Sequence, residues 1–415
     1  MSKLLSINSY HYRRGGSDVV YLEHDAMFRA AGWQTAVMSM HHPRNLPSKW
    51  SRFFVDELEF GHSYTPLQKL KMASKVVYSF EAKRKIQGLL DEFSADVAHL
   101  HCVYHHIGPV VLPVLKSRGI VTVMTAHDLK LACPAYRMRN ANGICEQCKD
   151  GRISHVVRNR CIHGSLAASA LVWLESTVHR QMGLYRDYLD KIVVPSLFFR
   201  NKLMEWGWPA STIEYIPNFV DSDLHRPRFE AGSYFLYFGR LVEEKGLTTL
   251  VAAALAAGVE LRLIGNGPME DELRHLAASS SRIQLLGYMS GEELWAQVRG
   301  SRAVVLASEW YENAPMSVLE AFANGKPVVG ANIAGIPELI EEGRTGWLFE
   351  SANVEQLAER LRAVEALADD DIRPMGMAAR QFVELNFSRR RYLDSMRTLY
   401  ARLQGGPVQC LEVPQ

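Results

Sequence analysis

Residues 259–289 read VELRLIGNGPMEDELRHLAASSSRIQLLGYM, in which two short apolar runs flank a segment with helical periodicity. A strand, a helix and a second strand in this order are typical of a βαβ unit, whose two strands lie parallel in one sheet. The runs are apolar nearly throughout, as expected of strands that are covered on both faces. The same alternation extends from residue 234 to about residue 350. We therefore predict a doubly wound α/β domain in the second half of the chain.

The first half of the chain repeats this alternation more loosely. The apolar runs that we expect to form strands are KLLSINSY, TAVMSM, DVAHLH, VTVMTAHD and DKIVVPS. Residues 217–232 are rich in Pro, Asp and Gly without helical periodicity, which indicates a linker. We predict two Rossmann-like domains, over residues 1–220 and 231–385, and a helix at residues 386–405 that packs back on the N-terminal domain. Because ligands bind at the carboxyl ends of parallel strands, two such domains face to face would hold a ligand in the cleft between them.

The composition excludes several classes of protein. The chain has 415 residues, of which 47% are hydrophobic and 22% charged, values typical of a soluble globular protein with more than one core. No apolar run approaches the roughly 18 residues of a membrane-spanning helix, and the longest ends at Glu260. The first residues hold only a short apolar run before Arg13, which favours a buried strand over a signal peptide. We expect a cytoplasmic protein.

The charge is distributed unevenly along the chain. Residues 1–220 carry 27 Lys and Arg against 18 Asp and Glu, a net charge of +9, whereas the remainder carries a net charge of −7. A basic first half is expected to meet an anionic ligand or an anionic membrane surface, and a solvated basic face is the alternative.

Residues 67–90 predict one basic amphipathic helix within this half. The apolar face is formed by Leu70, Ala73, Val77 and Phe80, the basic face by Lys71 and Lys75, with Lys83, Arg84 and Lys85 beyond. A helix of this kind either lies on anionic lipid or packs its apolar face into the core.

Two carboxylates flank the expected start of a helix in EWYENAPMSVLEAFANGKPVVG, residues 309–330. Pro315 suits the first helical position, because its ring fixes φ and its missing N–H would have no partner there. A helix from Pro315 to about Asn324 would point its free N–H groups at the carboxyl end of the preceding strand, where they can bind phosphate. Glu312 and Glu320 are better suited to accept hydrogen bonds from the hydroxyls of ribose and of a hexose beside that phosphate.

Cations suited to a diphosphate occur earlier in the same predicted domain. Arg240 and Lys245 lie in FGRLVEEKG, at the end of its first strand. Arginine offers a planar fork of donors and lysine a compact point charge. Taken singly, each of these acids and bases is more often an ordinary surface residue, so the prediction of a donor site depends on their combination.

The order of these motifs resembles a known family. The donor-binding domain of retaining glycosyltransferases of family 4 has the same succession, which is here GRL-x2-EKG, IGNGP, E-x7-E and AGIPE. The resemblance extends to Arg14-Gly15-Gly16, to TAHDLK at residues 125–130 and to PNFVD in the linker. It spans almost the whole chain and implies the GT-B fold, in which two Rossmann-like, doubly wound parallel-sheet domains face each other across an interdomain cleft.

The resemblance also implies a role for each matching residue. Arg240 and Lys245 match the basic pair on the donor diphosphate. Glu320 matches the acid that holds the ribose hydroxyls, and Glu312 the acid on the donor sugar. His127 matches the histidine near the reacting sugar carbon, where a lone histidine at a strand end could also be a satisfied structural residue. The other residues implied to bind the donor are Gly16, Gly265, Tyr288, Asn313, Ala314, Pro315 and Met316.

The implied function is that of a retaining hexosyltransferase. It would move a hexose from a UDP- or GDP-sugar to a hydroxyl of a glycan or lipid-linked acceptor in the synthesis of exopolysaccharide, capsule or lipopolysaccharide, on the cytoplasmic face of the membrane. No Asp-x-Asp stands where it could hold a divalent ion on the diphosphate, so we expect no cofactor in catalysis. No nucleic acid partner is expected. The alternatives are a catalytically silent nucleotide-sugar-binding scaffold and another GT-B enzyme, such as a nucleotide-sugar epimerase or a phosphorylase.

Four cysteines lie within an insertion at about residues 133–161. Cys133, Cys145, Cys148 and Cys161 have the spacing C-x11-C-x2-C-x12-C. Four thiolates can complete a tetrahedral structural zinc site, and C-x2-C places two of them on one tight turn. Four reduced thiols and disulfide pairs are the alternatives.

Overall fold

The computed structural model describes residues 2–57 and 65–406, except for the side chains of residues 66–71. The chain divides into two compact units. The first takes in the residues up to Ile216 together with those from Leu393 onward, and the second spans Pro217–Tyr392. Residues of the expected linker thus belong to the second unit, where the N–H of Val220 donates to the carbonyl of Phe387 at 2.8 Å.

The first unit contains a parallel sheet of the predicted class. The strands of this unit are β1 (Lys3–Ile7), β2 (Gln34–Met38), β3 (Val97–Leu100), β4 (Val121–Thr125), β5 (Arg139–Asn140), β6 (Gly143–Ile144), β7 (Lys191–Val194) and β8 (Ile213–Tyr215). Within the described residues the sheet has the order β2-β1-β3-β4-β7-β8, and every neighbouring pair is parallel. The strands β5 and β6 form a separate antiparallel hairpin in the cysteine-containing segment. The pattern did not predict β8, because three residues at a sheet edge carry too little periodicity.

Helices cover this sheet. They are α1 (Gly16–Ala30), α2 (Pro66–Val77), α3 (Phe80–Glu92), α4 (Val111–Ser117), α5 (His155–Arg158), α6 (Leu166–Gln181) and α7 (Leu197–Glu205). The C-terminal helix α14 (Arg389–Leu403) brings Tyr400 into the first unit, where its hydroxyl is hydrogen-bonded to His99.

The prediction of one continuous helix at residues 67–90 is wrong. The chain breaks between α2 and α3 because Ser79 adopts an extended conformation and caps α3, its side chain accepting from the N–H of Ala82 at 3.1 Å. The break also ends the single apolar face, since the side chain of Phe80 is 73% exposed. The predicted positions Leu70 and Lys71 lie outside the described side chains.

The second unit has the doubly wound architecture predicted from its βαβ pattern. Its strands are β9 (Phe235–Phe238), β10 (Leu261–Ile264), β11 (Ile283–Gly287), β12 (Ala303–Leu306), β13 (Val328–Ala331) and β14 (Gly346–Phe349). Among the described residues they form a parallel sheet in the order β11-β10-β9-β12-β13-β14. The edge strand β14 was not among the predicted strands. Because β9 lies beside β12, the loops that follow these two strands leave the sheet next to each other.

The helices of the second unit bury apolar side chains against both faces of this sheet. They are α8 (Leu247–Ala257), α9 (Glu270–Ala277), α10 (Gly291–Gly300), α11 (Met316–Ala323), α12 (Val354–Glu365) and α13 (Asp369–Asn386). The acidic run at residues 369–371 forms the exposed first turn of α13, where the helix dipole stabilises negative charge. Across residues 2–57 and 65–406, no helix is both long and apolar enough to span a bilayer.

Candidate active site

The helix α11 starts where the sequence placed a phosphate-binding helix end. Pro315 is the residue that caps it, with φ −65° and ψ 121°, and the helix itself begins at Met316, one residue later than predicted. The carbonyl of Pro315 accepts from the N–H of Val318 at 3.1 Å. The first N–H groups of α11 therefore point away from the helix at the carboxyl end of β12, as an anion site requires.

Glu312 lies just before this helix and is 6% exposed. Its Oε1 is ion-paired with the ammonium of Lys245 and accepts from the hydroxyl of Ser308 at 2.7 Å. Lys245 also lies over the ring of Trp310, 5.7 Å from its centroid. Glu312 and Lys245 were predicted to bind different parts of one donor, and in the structure they form an ion pair with each other.

The loops after β9 and β12 bring Lys245 and Glu312 together. Lys245 ends a short turn after β9, and Glu312 lies in the loop after the neighbouring β12. The N–H of Glu309 donates to the carbonyl of Glu244 at 2.9 Å, which ties the two loops together. Gly246 has φ +63°, and a Cβ there would lie 1.9 Å from the carbonyl oxygen of Ala307, so only glycine permits this approach.

The ion pair sets the charge of Glu312. Burial by itself would raise the pKa of this carboxyl, but the Lys245 ammonium and the hydrogen bonds from Lys245 and Ser308 hold the pKa below its ordinary value. Glu312 is therefore an acceptor of hydrogen bonds at neutral pH, as a contact to sugar hydroxyls requires.

Glu320 is in the opposite electrostatic state. Its side chain is half-buried, and burial without a compensating charge raises its pKa from 4.5 to about 8. A carboxyl group held in this way costs folding free energy unless a ligand supplies hydrogen bonds to it. Among the residues that the structure describes, no charged group compensates this acid, so its burial does not stabilise the fold by itself.

Arg240 lies on the surface of the second unit, after β9. Its side chain is 60% exposed, and its nearest acid is Glu244, with Nη2 and Oε1 4.0 Å apart. Its backbone is fixed by the buried Tyr237, whose hydroxyl donates to the carbonyl of Arg240 at 2.7 Å.

The remaining residues of the second unit that were predicted to bind the donor lie in loops that follow its strands. Gly265 has φ +143°, and a Cβ there would lie 1.8 Å from the carbonyl of Gly239, so the loops after β9 and β10 are also in close contact. Tyr288 follows β11 and is 70% exposed. The carbonyl of Ala314, beside Asn313, accepts from Asn218 Nδ2 at 3.2 Å.

Asn218 contacts the loop before α11, a role that the sequence reasoning missed. It was read as part of a linker motif, whereas its buried side chain fixes the loop before α11 from 96 positions away. The available signal was the asparagine within PNFVD, since a polar side chain that is buried beside apolar residues is usually hydrogen-bonded.

His127 and Gly16, the other predicted residues, lie in the first unit. Gly16 is the first residue of α1, so its N–H belongs to the unpaired N–H groups of that helix end. His127 follows β4, and its Nε2 lies 2.9 Å from Nδ1 of His101, which follows β3. Burial lowers the pKa of His127 to about 4, so its imidazole is neutral at pH 7.

The four cysteines of the insertion are not joined by disulfide bonds in this structure. Cys133 and Cys148 are buried and Cys145 and Cys161 partly buried, and burial together with the neighbouring cysteines raises the pKa of Cys148 to about 12 and that of Cys161 to about 11. Within the described parts of the chain, no group of three or more His, Cys, Asp and Glu side chains has the arrangement of a metal site. The structural zinc stays a prediction.

Each half of the chain matches the model of a known protein family. A model of Glycosyltransferase Family 4 matches residues 14–224, and a model of Glycosyl transferases group 1 matches residues 225–381. The resemblance inferred from the ordered motifs is confirmed by these matches.

Several curated proteins are similar to part of this chain. The putative colanic acid biosynthesis glycosyltransferase WcaL of Escherichia coli is 31% identical over 216 residues, 48% of this chain and 53% of that protein. The GDP-mannose-dependent alpha-(1-6)-phosphatidylinositol monomannoside mannosyltransferase of Mycobacterium tuberculosis is 28% identical over 248 residues, 53% of this chain and 63% of that protein. The chain thus spans between about half and two thirds of the length of these curated relatives.

The fold is shared with solved structures over almost the whole chain. HepE of Anabaena, solved in complex with UDP and glucose, superposes with a TM-score of 0.69 at 15% identity, covering 97% of this chain and 100% of that one. The predicted GT-B fold is confirmed by this similarity.

Proposed function

Because the chain belongs to Glycosyltransferase Family 4, we propose that it is a retaining hexosyltransferase that uses a nucleotide-diphosphate sugar. The acceptor would be a hydroxyl of a glycan or lipid-linked saccharide in the synthesis of a cell-surface polysaccharide. The similarity to proteins named for colanic acid and amylovoran biosynthesis favours this class of acceptor. The donor nucleotide would be UDP or GDP, since one similar structure holds UDP and one relative is named for GDP-mannose.

The observation that carries the proposal is the pairing of Lys245 with Glu312 beside the start of α11. A buried, ionised acid, a cation and a helix end that favours anions occur together at the carboxyl ends of adjacent parallel strands. The unpaired carboxyl of Glu320 lies within the same helix. A structural ion pair alone would explain the first two groups but would leave Glu320 unexplained.

The residues suggest a front-face displacement. The bond from the anomeric carbon to the diphosphate oxygen breaks while the acceptor oxygen bonds on the same face, and the leaving oxygen takes the proton of the acceptor hydroxyl. Arg240, Lys245 and the N–H groups at the start of α11 would stabilise the negative charge that grows on the leaving group. Lys245 would exchange part of its contact with Glu312 for the diphosphate, which frees Glu312 to accept from a sugar hydroxyl.

The test is the melting temperature of the full chain with UDP, GDP, ADP and their common sugar conjugates, each alone. A ligand at about 100 times its Kd should add roughly 2.7 kcal/mol to the free energy of unfolding. The shift should vanish in Arg240→Ala and persist in Arg344→Ala, a matched control whose side chain is 64% exposed and paired with Glu341. Transfer to water or to an acceptor saccharide, followed by NMR of the product's anomeric proton, then tests retention.

Two outcomes would change the proposal. If no nucleotide shifts the melting temperature, the donor site is wrong. If a nucleotide binds through Arg240 but no sugar is transferred to any acceptor or released, the catalytically silent scaffold is favoured instead.

We further propose weak peripheral binding to anionic membranes through the first unit. Phe80, Leu166, Trp173 and Leu174 are exposed apolar side chains on α3 and α6, and the basic run at residues 83–85 lies on α3. Helices that expose both apolar and basic groups are typical of interfacial binding. Sedimentation with vesicles should increase with the fraction of anionic lipid and decrease in Trp173→Ser. Sedimentation that does not depend on anionic lipid would contradict it.

A further inference from the structure

A row of stacked imidazoles lies behind His127 in the first unit. The rings of His99 and His101 are stacked with centroids 4.7 Å apart, and those of His101 and His127 are near-parallel, with centroids 5.2 Å apart, and meet edge to edge through their nitrogens. His24, from α1, adds a ring 4.6 Å from that of His99. The row is possible because β3 and β4 are adjacent parallel strands, so the residues that follow them leave the sheet side by side.

All of these imidazoles are neutral. Burial is the largest cause and brings the pKa of His24 to about 3 and that of His127 to about 4, while the pKa values of His99 and His101 are lowered further by their histidine neighbours. A neutral imidazole has one N–H donor and one nitrogen lone pair. The contact between His101 and His127 therefore has only two possible directions.

The surroundings of His101 decide between them. His101 is fully buried, and its Nδ1 faces His127 Nε2 at 2.9 Å. Its Nε2 is also buried and has no hydrogen-bond partner among the described residues. If His127 donated, the proton of His101 would have to lie on this unpartnered Nε2, leaving a buried N–H unsatisfied. If His101 donates, only a nitrogen lone pair is left unsatisfied. Orphaned buried N–H donors are the rarer case in proteins, which favours donation from His101.

The direction of this bond fixes the tautomer of His127. Its Nε2 accepts from His101, so its own proton lies on Nδ1, the nitrogen that remains for a ligand. His127 is partly exposed, unlike His101.

We propose that His101 is a positioning residue that holds His127 in its Nδ1–H tautomer, so that His127 donates a hydrogen bond to a sugar oxygen and does not act as a base. The consequence for substrate rests on the proposed function, whereas the tautomer itself does not. A donating His127 is consistent with a mechanism in which the leaving diphosphate, and no side chain, takes the proton of the acceptor.

Neighbouring groups keep the His101 ring in place. It stacks on His99, contacts His127 through the nitrogen edge and meets the ring of Tyr21 in a T-shaped contact, 5.4 Å away between centroids. His99 is itself held by Thr125 Oγ1, 2.7 Å from its Nε2, and by the hydroxyl of Tyr400 on its Nδ1. The C-terminal helix thus contributes to the support behind His127.

The test is the protonation pattern of His127 in the free protein, read from two-bond ¹H–¹⁵N NMR spectra of protein labelled with ¹⁵N-histidine. His127→Gln assigns the signal. The wild type should show His127 protonated on Nδ1. The tautomer should be lost or mixed in His101→Phe, which keeps a flat ring but has no donor, and kept in His101→Gln, whose amide can still donate.

Kinetics then test the consequence. His101→Phe should lower kcat up to about tenfold, the worth of one hydrogen bond, with donor KM little changed. His101→Gln should recover most of the loss, and His41→Gln, which removes an exposed histidine of the same unit, should leave both constants unchanged.

The outcomes distinguish a failure of the inference about His101 and His127 from a failure of the proposed function. A wild-type His127 protonated on Nε2 overturns the inference whatever the activity, and this spectrum needs no variant to fold. An Nδ1–H tautomer that persists in a folded His101→Phe overturns the role of His101. A tautomer that behaves as expected in a protein without transferase activity supports the positioning by His101 and refutes the proposed function.

Discussion

Replacing Glu320 by glutamine should make the protein more stable and a poorer binder of nucleotide. The carboxyl of Glu320 is half-buried without a compensating charge, and its pKa is raised from 4.5 to about 8. Below pH 4.5 the group is protonated in both the folded and the unfolded state, so its ionisation costs nothing. As the pH rises from 4.5 to 8 only the unfolded state ionises, and the free energy of unfolding falls. Glutamine has nearly the same shape and does not ionise.

The size of the effect follows from the shift. A change of one unit in pKa corresponds to about 1.4 kcal/mol, which sets a ceiling of about 5 kcal/mol at pH 8. Because the side chain is partly exposed, solvent reduces this value, and we expect about half of it. For a unit of this size the gain corresponds to a rise in melting temperature of roughly 5–10 °C at pH 8, and almost none near pH 4.5.

Calorimetry of the full chain between pH 5 and 8 measures this difference, with Glu355→Gln, an exposed acid on α12, as the matched control. Nucleotide affinity is measured on the same proteins and should fall up to about tenfold in Glu320→Gln, since the amide nitrogen that replaces one carboxyl oxygen cannot accept a hydrogen bond from a ribose hydroxyl. A stability difference that does not grow with pH would refute the buried-acid reasoning. An unchanged affinity would refute the placement of the ribose on Glu320.

Three further predictions concern the remaining groups. Lys245→Met should lower the free energy of unfolding by about 3–5 kcal/mol in calorimetry, because it leaves the buried Glu312 without its partner. A second change, Glu312→Gln, should recover most of this loss. If the effects of the two changes simply add, the two residues are not a coupled pair. Arg240→Ala should lower kcat about 10²- to 10³-fold in a transfer assay with the melting temperature unchanged, since the side chain is 60% exposed, and near-normal turnover would remove it from the leaving-group site. Protein purified without chelators should contain one equivalent of zinc by elemental analysis and lose it in Cys148→Ser; a content well below one equivalent in the wild type would rule out the structural zinc.

Much of the fold could be read from the chain because it depends on local pattern. The apolar runs that became β9 to β13 and the helices between them lie within short windows of sequence, so their periodicity is visible without any tertiary information. The pattern failed where the window was too short or a side chain intervened. The edge strand β8 has only three residues, and the predicted helix at residues 67–90 is divided because the hydroxyl of Ser79 caps a new helix.

The sequence by itself determined which residues could form the site, because ordered motifs such as E-x7-E and GRL-x2-EKG lie within single loops and helix starts. Only the tertiary structure decided how those residues are paired. The contact of Lys245 with Glu312 depends on the adjacency of β9 and β12, and that of His101 with His127 on the adjacency of β3 and β4. Strand order in a sheet is set by packing over the whole domain, so neither contact, nor the charge and tautomer that each one fixes, leaves a local trace in the chain.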